Sequence, residues 1–262
     1  MGEHYSKKEL GKDMYQFFIE DENAAEDFVT IEGSDVNHIK NVLRMKPGEK
    51  IRVCTRNGQN YFCSISDITE SFVRADILEK EAESTELPCR IYLFQGLPKN
   101  DKMEWIIQKT VELGVYEVIP VAMKNCVVKL DDKKAKSKVT RWQAIAESAA
   151  KQSKRSLIPE VKMPMSYKEA VAYAKELDVK LVPYENEHGM AGTKAAMEQI
   201  KKGESVAVFI GPEGGFAPEE IEMVRAEMQL ISLGRRILRT ETAGIVALAI
   251  LGYQLESSDM IE

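Results

Sequence analysis

With 262 residues, 44% hydrophobic and 30% charged, the chain has the make-up of an ordinary globular protein and room for one large domain or two modest ones. Residues 1–13 are polar and charged, which excludes a secretory signal, and the longest uncharged run, residues 242–255, is too short to span a bilayer; a cytoplasmic protein with no membrane partner is expected. Cys54, Cys63, Cys89 and Cys126 form no CxxC pair and have no nearby histidine, so reduced thiols and no metal site are expected.

A net charge of −6 argues at first against a polyanionic partner, but the distribution of charge does not. Between residues 124 and 168 twelve Lys and Arg stand against four Asp and Glu, a local +8 that leaves −14 elsewhere. Such a segment can focus a positive field on one face and steer nucleic acid there. Taken alone, residues 131–138 read rather as a solvated lysine loop that binds nothing.

In chain order, residues 15–19, 50–54, 61–65 and 72–78 are short strand-like runs. Turn chemistry at Lys46-Pro47-Gly48 and Arg56-Asn57-Gly58 separates them, which predicts a small barrel over residues 14–80 after a polar leader. One helix is predicted there, residues 34–45, with Val36, Ile39, Val42 and Leu43 on its inner face. Residues 81–89, charged and containing Pro88, read as a linker. Over residues 90–262 strands and helices alternate, which predicts a parallel sheet covered on both faces. Strands are expected at residues 91–95, 116–121, 179–184, 206–210 and 230–233, and helices starting near Lys102, Thr140, Ser166, Thr193, Pro218 and Thr240. Gly114 sits where the first of these helices needs a left-handed residue to stop. Pro218 fits a first helical turn, with Glu219 and Glu220 complementing the dipole.

Two loops near the end carry the chemistry. The strand Val206-Ala207-Val208-Phe209-Ile210 runs into Gly211-Pro212-Glu213-Gly214-Gly215-Phe216, and a second loop reads Leu233-Gly234-Arg235-Arg236-Ile237-Leu238-Arg239-Thr240-Glu241-Thr242-Ala243. Glycines at the carboxyl end of a parallel strand let a ligand lie against bare backbone, although either loop alone also reads as a plain turn. In this order and spacing the pair resembles the GPEGG and LGxRILRxETA loops of the SPOUT class of S-adenosylmethionine-dependent RNA methyltransferases, and within it the 16S ribosomal RNA uridine-N3 methyltransferases. Further islands agree in order: His38 to Gly48 (HIKNVLRMKPG), Gly96-Leu97-Pro98-Lys99 with Asp101-Lys102, Glu112-Leu113-Gly114, Val127-Val128-Lys129-Leu130, and Gln152-Ser153 with Arg155 and Ile158-Pro159-Glu160.

The resemblance implies an α/β trefoil-knot (SPOUT) domain with a parallel sheet, preceded by a small PUA-like β-barrel that binds RNA. It also implies a homodimer and S-adenosylmethionine as cofactor, acting on N3 of a specific uridine in 16S rRNA of the small ribosomal subunit. Three loops would hold the cofactor: Pro183, Tyr184 and Glu185; Ile210, Gly211, Pro212, Glu213, Gly214 and Gly215; and Leu233, Gly234, Ile237, Leu238 and Thr240. Bent adenosine bonded by main-chain groups needs close backbone approach at Gly211, Gly214, Gly215 and Gly234, with Leu233, Ile237 and Leu238 as apolar walls.

A sulfonium methyl donor is already activated, so the protein must make the acceptor nucleophilic and aim it. The uracil N3 proton has a pKa about two units above neutrality, so the anion costs on the order of 3 kcal/mol at pH 7. Arg239 and Arg236 are the candidates for stabilising that charge. Glu241 is the nearest candidate base; Thr240-Glu241 also reads as the cap of the last helix, and a water relay is a third route. His38, Arg44, Lys46, Lys99, Lys102, Lys129 and Arg155 are the candidates for RNA contact, and each alone also reads as a solvated cation. The last helix is apolar on too many faces for a one-sided surface helix, which suits a dimer interface.

Six positions depart from the family pattern: Gln16 and Asn125 stand for Arg, Asn100 for Gly, Lys151 for Glu, and Arg235 and Gly244 for Pro. The missing cations at 16 and 125 are expected to weaken RNA binding. Rival readings are an enzyme of the same class acting on another RNA and a non-catalytic cofactor- or RNA-binding assembly factor. A nucleotide hydrolase is disfavoured because no GxxxxGK[ST] motif is present.

Overall fold

The computed structural model describes residues 14–81 and 84–257; the polar leader, residues 1–13, lies outside the described residues. The chain divides into two compact units, Met1–Glu86 with Ala150–Ile158, and Leu87–Ala149 with Pro159–Glu262. The segment Ala150–Ile158 therefore groups with the first unit, whereas the sequence reading placed it in the second domain.

In the first unit β1 (Gln16–Ile19), β2 (Phe28–Glu32), β3 (Lys50–Thr55), β4 (Asn60–Ile68) and β5 (Phe72–Glu81) form one curled sheet in the order β1-β3-β4-β5-β2. Alternation puts Phe17, Ile31, Ile51, Val53, Cys63, Ile65 and Val73 into one core. Strand β2 and the extension of β5 into the expected linker were not predicted. The predicted helix is shorter and of two kinds: α1 (Ser34–Asn37) passes into a π-helical turn, His38–Val42. The chain then leaves through Arg44 at φ 55°, with the Met45 N–H donating to Ile39 O at 3.0 Å. The wider turn rotates its side chains, so Val36 and Ile39 are buried while Val42, expected inside, is 62% exposed.

Polar bonds attach Ala150–Ile158 to this unit. Gln16 Nε2 donates to Arg155 O at 2.6 Å, Arg52 Nη1 to Lys154 O at 2.9 Å, and Asn60 Nδ2 to Ser156 Oγ at 2.8 Å. The buried Arg155 guanidinium is ion-paired with Glu86, whose Oε1 also accepts the Ser156 N–H.

In the second unit β6 (Arg90–Gly96), β7 (Val115–Ala122), β8 (Glu160–Val161), β10 (Val179–Pro183), β11 (Ser205–Ile210) and β12 (Gln229–Ile231) make a parallel sheet in the order β12-β10-β11-β6-β7-β8, with β9 (Met165–Ser166) also on β7. The helices are α2 (Lys102–Glu112), α3 (Asp132–Gln152), α4 (Tyr167–Ala174), α5 (Ala191–Glu198), α6 (Pro218–Val224) and α7 (Thr240–Ser257). Strand β11 is buried at every position, as a central parallel strand must be. Residues of α4 and α6 pack with Phe94 and Phe209, whose rings stack at 4.3 Å, and α7 lies against Leu93 and Ile210 on the opposite face. The stretch 131–138 is not a loop: α3 starts at Asp132, eight residues before the expected Thr140, because Asp131 Oδ1 accepts the Lys134 N–H at 2.8 Å and caps it.

Strand order positions the site. Strand β10 lies between β11 and β12, so the chain leaving β11 through α6 crosses β10 to reach β12, and α7 then returns to pack on α2, β6 and β11. The carboxyl ends of β10, β11 and β12 and the start of α7 meet at one edge.

Candidate functional site

Loops following β10, β11 and β12 enclose a cleft of about 660 Å³ at that edge. Pro183, Tyr184, Glu185, Glu187 and His188 line it from the first loop; Ile210 to Glu213, Gly215 and Phe216 from the second; Ser232 to Thr240 and Ala243 from the third. All the residues singled out in the sequence for a cofactor lie on this lining except Gly214.

Gly214 is needed for another reason. A Cβ there would sit 2.9 Å from Asn125 Cβ, and Asn125 Nδ2 donates to Gly214 O at 3.1 Å and to Gly215 O at 3.2 Å. Asn125, noted in the sequence only as a lost cation, is thus a strut under the glycine loop. A still closer approach beside the cleft is at Gly96, where a Cβ would lie 2.7 Å from Pro212 N.

A buried hydrogen-bond chain joins the loops from behind. Gln95 Nε2 donates to Gly96 O at 3.1 Å and to Thr240 Oγ1 at 2.9 Å, and Thr240 Oγ1 donates in turn to Gly211 O at 2.6 Å. The Thr240 hydroxyl is therefore committed to the glycine loop, which overturns its reading as a helix cap. Such chains polarise cooperatively in a low dielectric. The third loop is fixed at its start by a reciprocal pair, Thr193 Oγ1 to Ser232 O at 2.8 Å and Ser232 N to Thr193 Oγ1 at 3.0 Å.

Charge is arranged in two tiers. Below the glycine loop, Lys102 Nζ lies 3.1 Å from Glu213 Oε1 and 3.2 Å from Glu241 Oε2, the latter contact off hydrogen-bond direction. Burial alone would raise the Glu213 carboxyl, but the N–H groups of Lys99 and of Glu213 itself, with the Lys102 ammonium, hold it below the usual range. The hydrogen bond from Lys102 to Glu213, with the neighbouring Glu241 carboxylate, outweighs desolvation and keeps that ammonium more firmly charged than usual. Glu241 does not line the cleft, and its carboxylate faces Lys102, so the geometry does not place it as the base. In the upper tier Arg235, Arg236 and Arg239 are exposed along the cleft and have no carboxylate within ion-pair distance among the described residues.

Leu233 and Leu238 are half-buried walls, and Ile237 stands 88% exposed at the rim. Burial pushes the Cys54 and Cys63 thiols up to about 12 and raises Cys126 as well. Gln95, Glu187 and His188 were missed in the sequence. Gln95 alone left a signal, a polar residue directly after the buried run Ile91-Tyr92-Leu93-Phe94.

Among the cations singled out for RNA, His38, Arg44 and Lys46 are exposed in the first unit and Lys99 and Lys129 in the second. Two are corrected. Arg155 is 3% exposed and committed to Glu86, so it cannot hold a phosphate, and Lys102 is occupied by its two carboxylates.

Residues 85–252 match a family model described as an RNA methyltransferase domain, and residues 31–78 one described as an RNA methyltransferase PUA domain. The chain is 39% identical over 231 residues to the ribosomal RNA small subunit methyltransferase E of Bacillus subtilis, covering 87% of this chain and 90% of that protein. A crystal structure of a ribosomal RNA small subunit methyltransferase E from Neisseria gonorrhoeae bound to S-adenosylmethionine is 32% identical, with a TM-score of 0.79 over 91% of this chain and 96% of the other. A methyltransferase structure from Legionella pneumophila in complex with the same cofactor is 30% identical, with a TM-score of 0.78 over 91% and 96% of the two chains.

Proposed function

Because the chain belongs to the ribosomal RNA small subunit methyltransferase E family, we propose that it transfers a methyl group from S-adenosylmethionine to N3 of a uridine in 16S rRNA. The observation that carries this reading is the three-loop cleft at the carboxyl edge, with a glycine-rich floor and a rim of unpaired arginines. A nucleoside fits that floor. Gly211, Gly215 and Gly234 bring main chain to the lining without a side chain in the way of an adenine edge, Leu233 and Leu238 offer apolar walls, and Glu185 faces Gly215 with its Oε1 3.5 Å from where a Cβ would be. S-adenosylmethionine, when bound, supplies an electrophilic methyl on a sulfonium.

The protein's residues do the rest. Arg236 and Arg239, exposed and uncompensated, stabilise the negative charge that N3 deprotonation spreads over the two uracil carbonyls. The proton leaves to water, since Glu241 is held by Lys102 below the cleft. Exposed His38, Arg44, Lys46, Lys99 and Lys129 register the RNA backbone. The crossing of β10 between β11 and β12 fits the threaded knot of the SPOUT class. An apolar strip on α7, with the half-buried Ile245, Val246 and Ile250 and the 73% exposed Tyr253, is the face on which two copies pair.

The test is methyl transfer from labelled S-adenosylmethionine to small ribosomal subunits from a strain lacking the activity, followed by nucleoside analysis. Label in 3-methyluridine, lost in Arg239→Ala, is expected. Cofactor binding without label in any RNA would sink the proposal.

A further inference from the structure

Helix α3 carries cations at the end where its dipole is least favourable to them. Lys133, Lys134 and Lys136 fall in its first two turns, at the positive pole, where acidic residues are the stabilising choice. Asp131 and the exposed Asp132 of the first turn offset only part of this: the Asp131 carboxylate caps the Lys134 N–H, lies 3.3 Å from Lys134 Nζ, and is held below the usual range first by that N–H and then by the ammonium. Lys133 and Lys136 are exposed and, like the exposed Lys129 just before the helix, have no ion-pair partner among the described residues. An acidic chain, with 42 Asp and Glu against 36 Lys and Arg, has placed a block of cations where the backbone does not favour them.

Two ion pairs locate this block. Lys138 Nζ lies 3.5 Å from Asp101 and Arg141 Nη2 2.8 Å from Glu104, so the next turns of α3 are fastened to the start of α2. Between those two α2 partners stands Lys102, which reaches Glu213 of the glycine loop and Glu241 at the start of α7. The free lysines therefore begin within one helix of the cleft.

We infer that the lysine face formed by Lys129, Lys133, Lys134 and Lys136 is a docking surface for the phosphate backbone of RNA, beside the cleft and outside it. This rests on the reading of the chain as an RNA methyltransferase and names the surface through which the substrate is held. Three or four phosphate contacts release counterions on binding, which raises affinity steeply as salt falls without reading sequence.

The experiment compares the full chain with its Lys133→Gln/Lys134→Gln/Lys136→Gln variant in binding to a 16S rRNA transcript and to an unrelated RNA duplex, over a range of salt concentrations. A control variant, Lys175→Gln/Lys201→Gln/Lys202→Gln, removes the same charge near the amino ends of β10 and β11. Expected for the α3 variant is about a tenfold loss of affinity for both RNAs near 0.1 M salt and a fall of about two in the slope of log K against log salt. Its melting temperature should be unchanged or higher, and its S-adenosylmethionine affinity unchanged; the control should lose far less. Equal losses in the two variants would reduce the effect to net charge, and an unchanged slope would make α3 a solvated face; either overturns the inference. Because the unrelated duplex also reports on the surface, that outcome stays distinct from a failure to methylate 16S rRNA.

Discussion

The two ends of the parallel sheet are held by different groups. At the amino end the bonds tie neighbouring strands together: Asp178 Oδ2 accepts from Ser205 N at 2.8 Å and Oγ at 2.6 Å, Ser205 Oγ accepts the Asp178 N–H at 3.0 Å, and the Gly203 N–H donates to Pro88 O at 2.8 Å. At the carboxyl end they join the segments that surround the cleft, as in Gln95 to Thr240, 145 residues apart, and Lys99 to Glu213, 114 apart. The first arrangement holds strand to strand away from the cleft. The second makes the shape of a cleft depend on every segment that reaches it, so substitutions there should disturb binding as well as stability.

That contrast can be broken most severely at Gly96. Gly96→Val drives a side chain into Pro212, and a cost of about 3 kcal/mol is expected to lower S-adenosylmethionine affinity by more than about 100-fold in calorimetry. Thr240→Val should come next. It strands the Gln95 amide and the Gly211 carbonyl, costing about 2 kcal/mol in denaturant unfolding and about 30-fold in cofactor affinity. Lys102→Met should weaken the cofactor about tenfold while Lys102→Arg keeps most of it; equal losses would mean that the stem, not the charge, matters.

Acid sharpens the same point. The Glu213 carboxyl is held low, so its contribution is complete above its unfolded pKa of about 4.3 and is lost as pH falls through the depressed folded value. The gap in melting temperature between the wild type and Glu213→Gln should therefore shrink below about pH 4; a gap that stays constant would show the charge to be irrelevant. The mildest expectation concerns the amino end, where Ser205→Ala should cost about 1 kcal/mol of stability and leave cofactor affinity untouched.

Local pattern gave away what local pattern governs. The apolar run of β11, the start of α6 at Pro218 and the left-handed stop at Gly114 follow from residues within a turn or two of each other. The glycine loops were legible for the same reason. Strand β2 was missed although its buried Val29 and Ile31 alternate as a strand's should, and the start of α3 because lysines that favour helix also suit a solvated loop. The roles of Gln95 and Asn125 depend on partners from 89 to 145 residues away, and no periodicity encodes those. Arg155 was misjudged on the same account, its burial depending on Glu86, 69 residues earlier.

The membership of Ala150–Ile158 in the first unit has a consequence for synthesis. A ribosome that has released the strands through Glu81 has not yet made the groups that Gln16, Arg52 and Asn60 bond. At roughly 5 to 20 residues per second, several seconds pass before residue 158 emerges. During that interval the early sheet carries polar groups whose mates are not yet made, so the amino-terminal unit is completed only as residue 158 emerges, still ahead of the cleft, whose third loop at Ser232 to Thr240 is translated later.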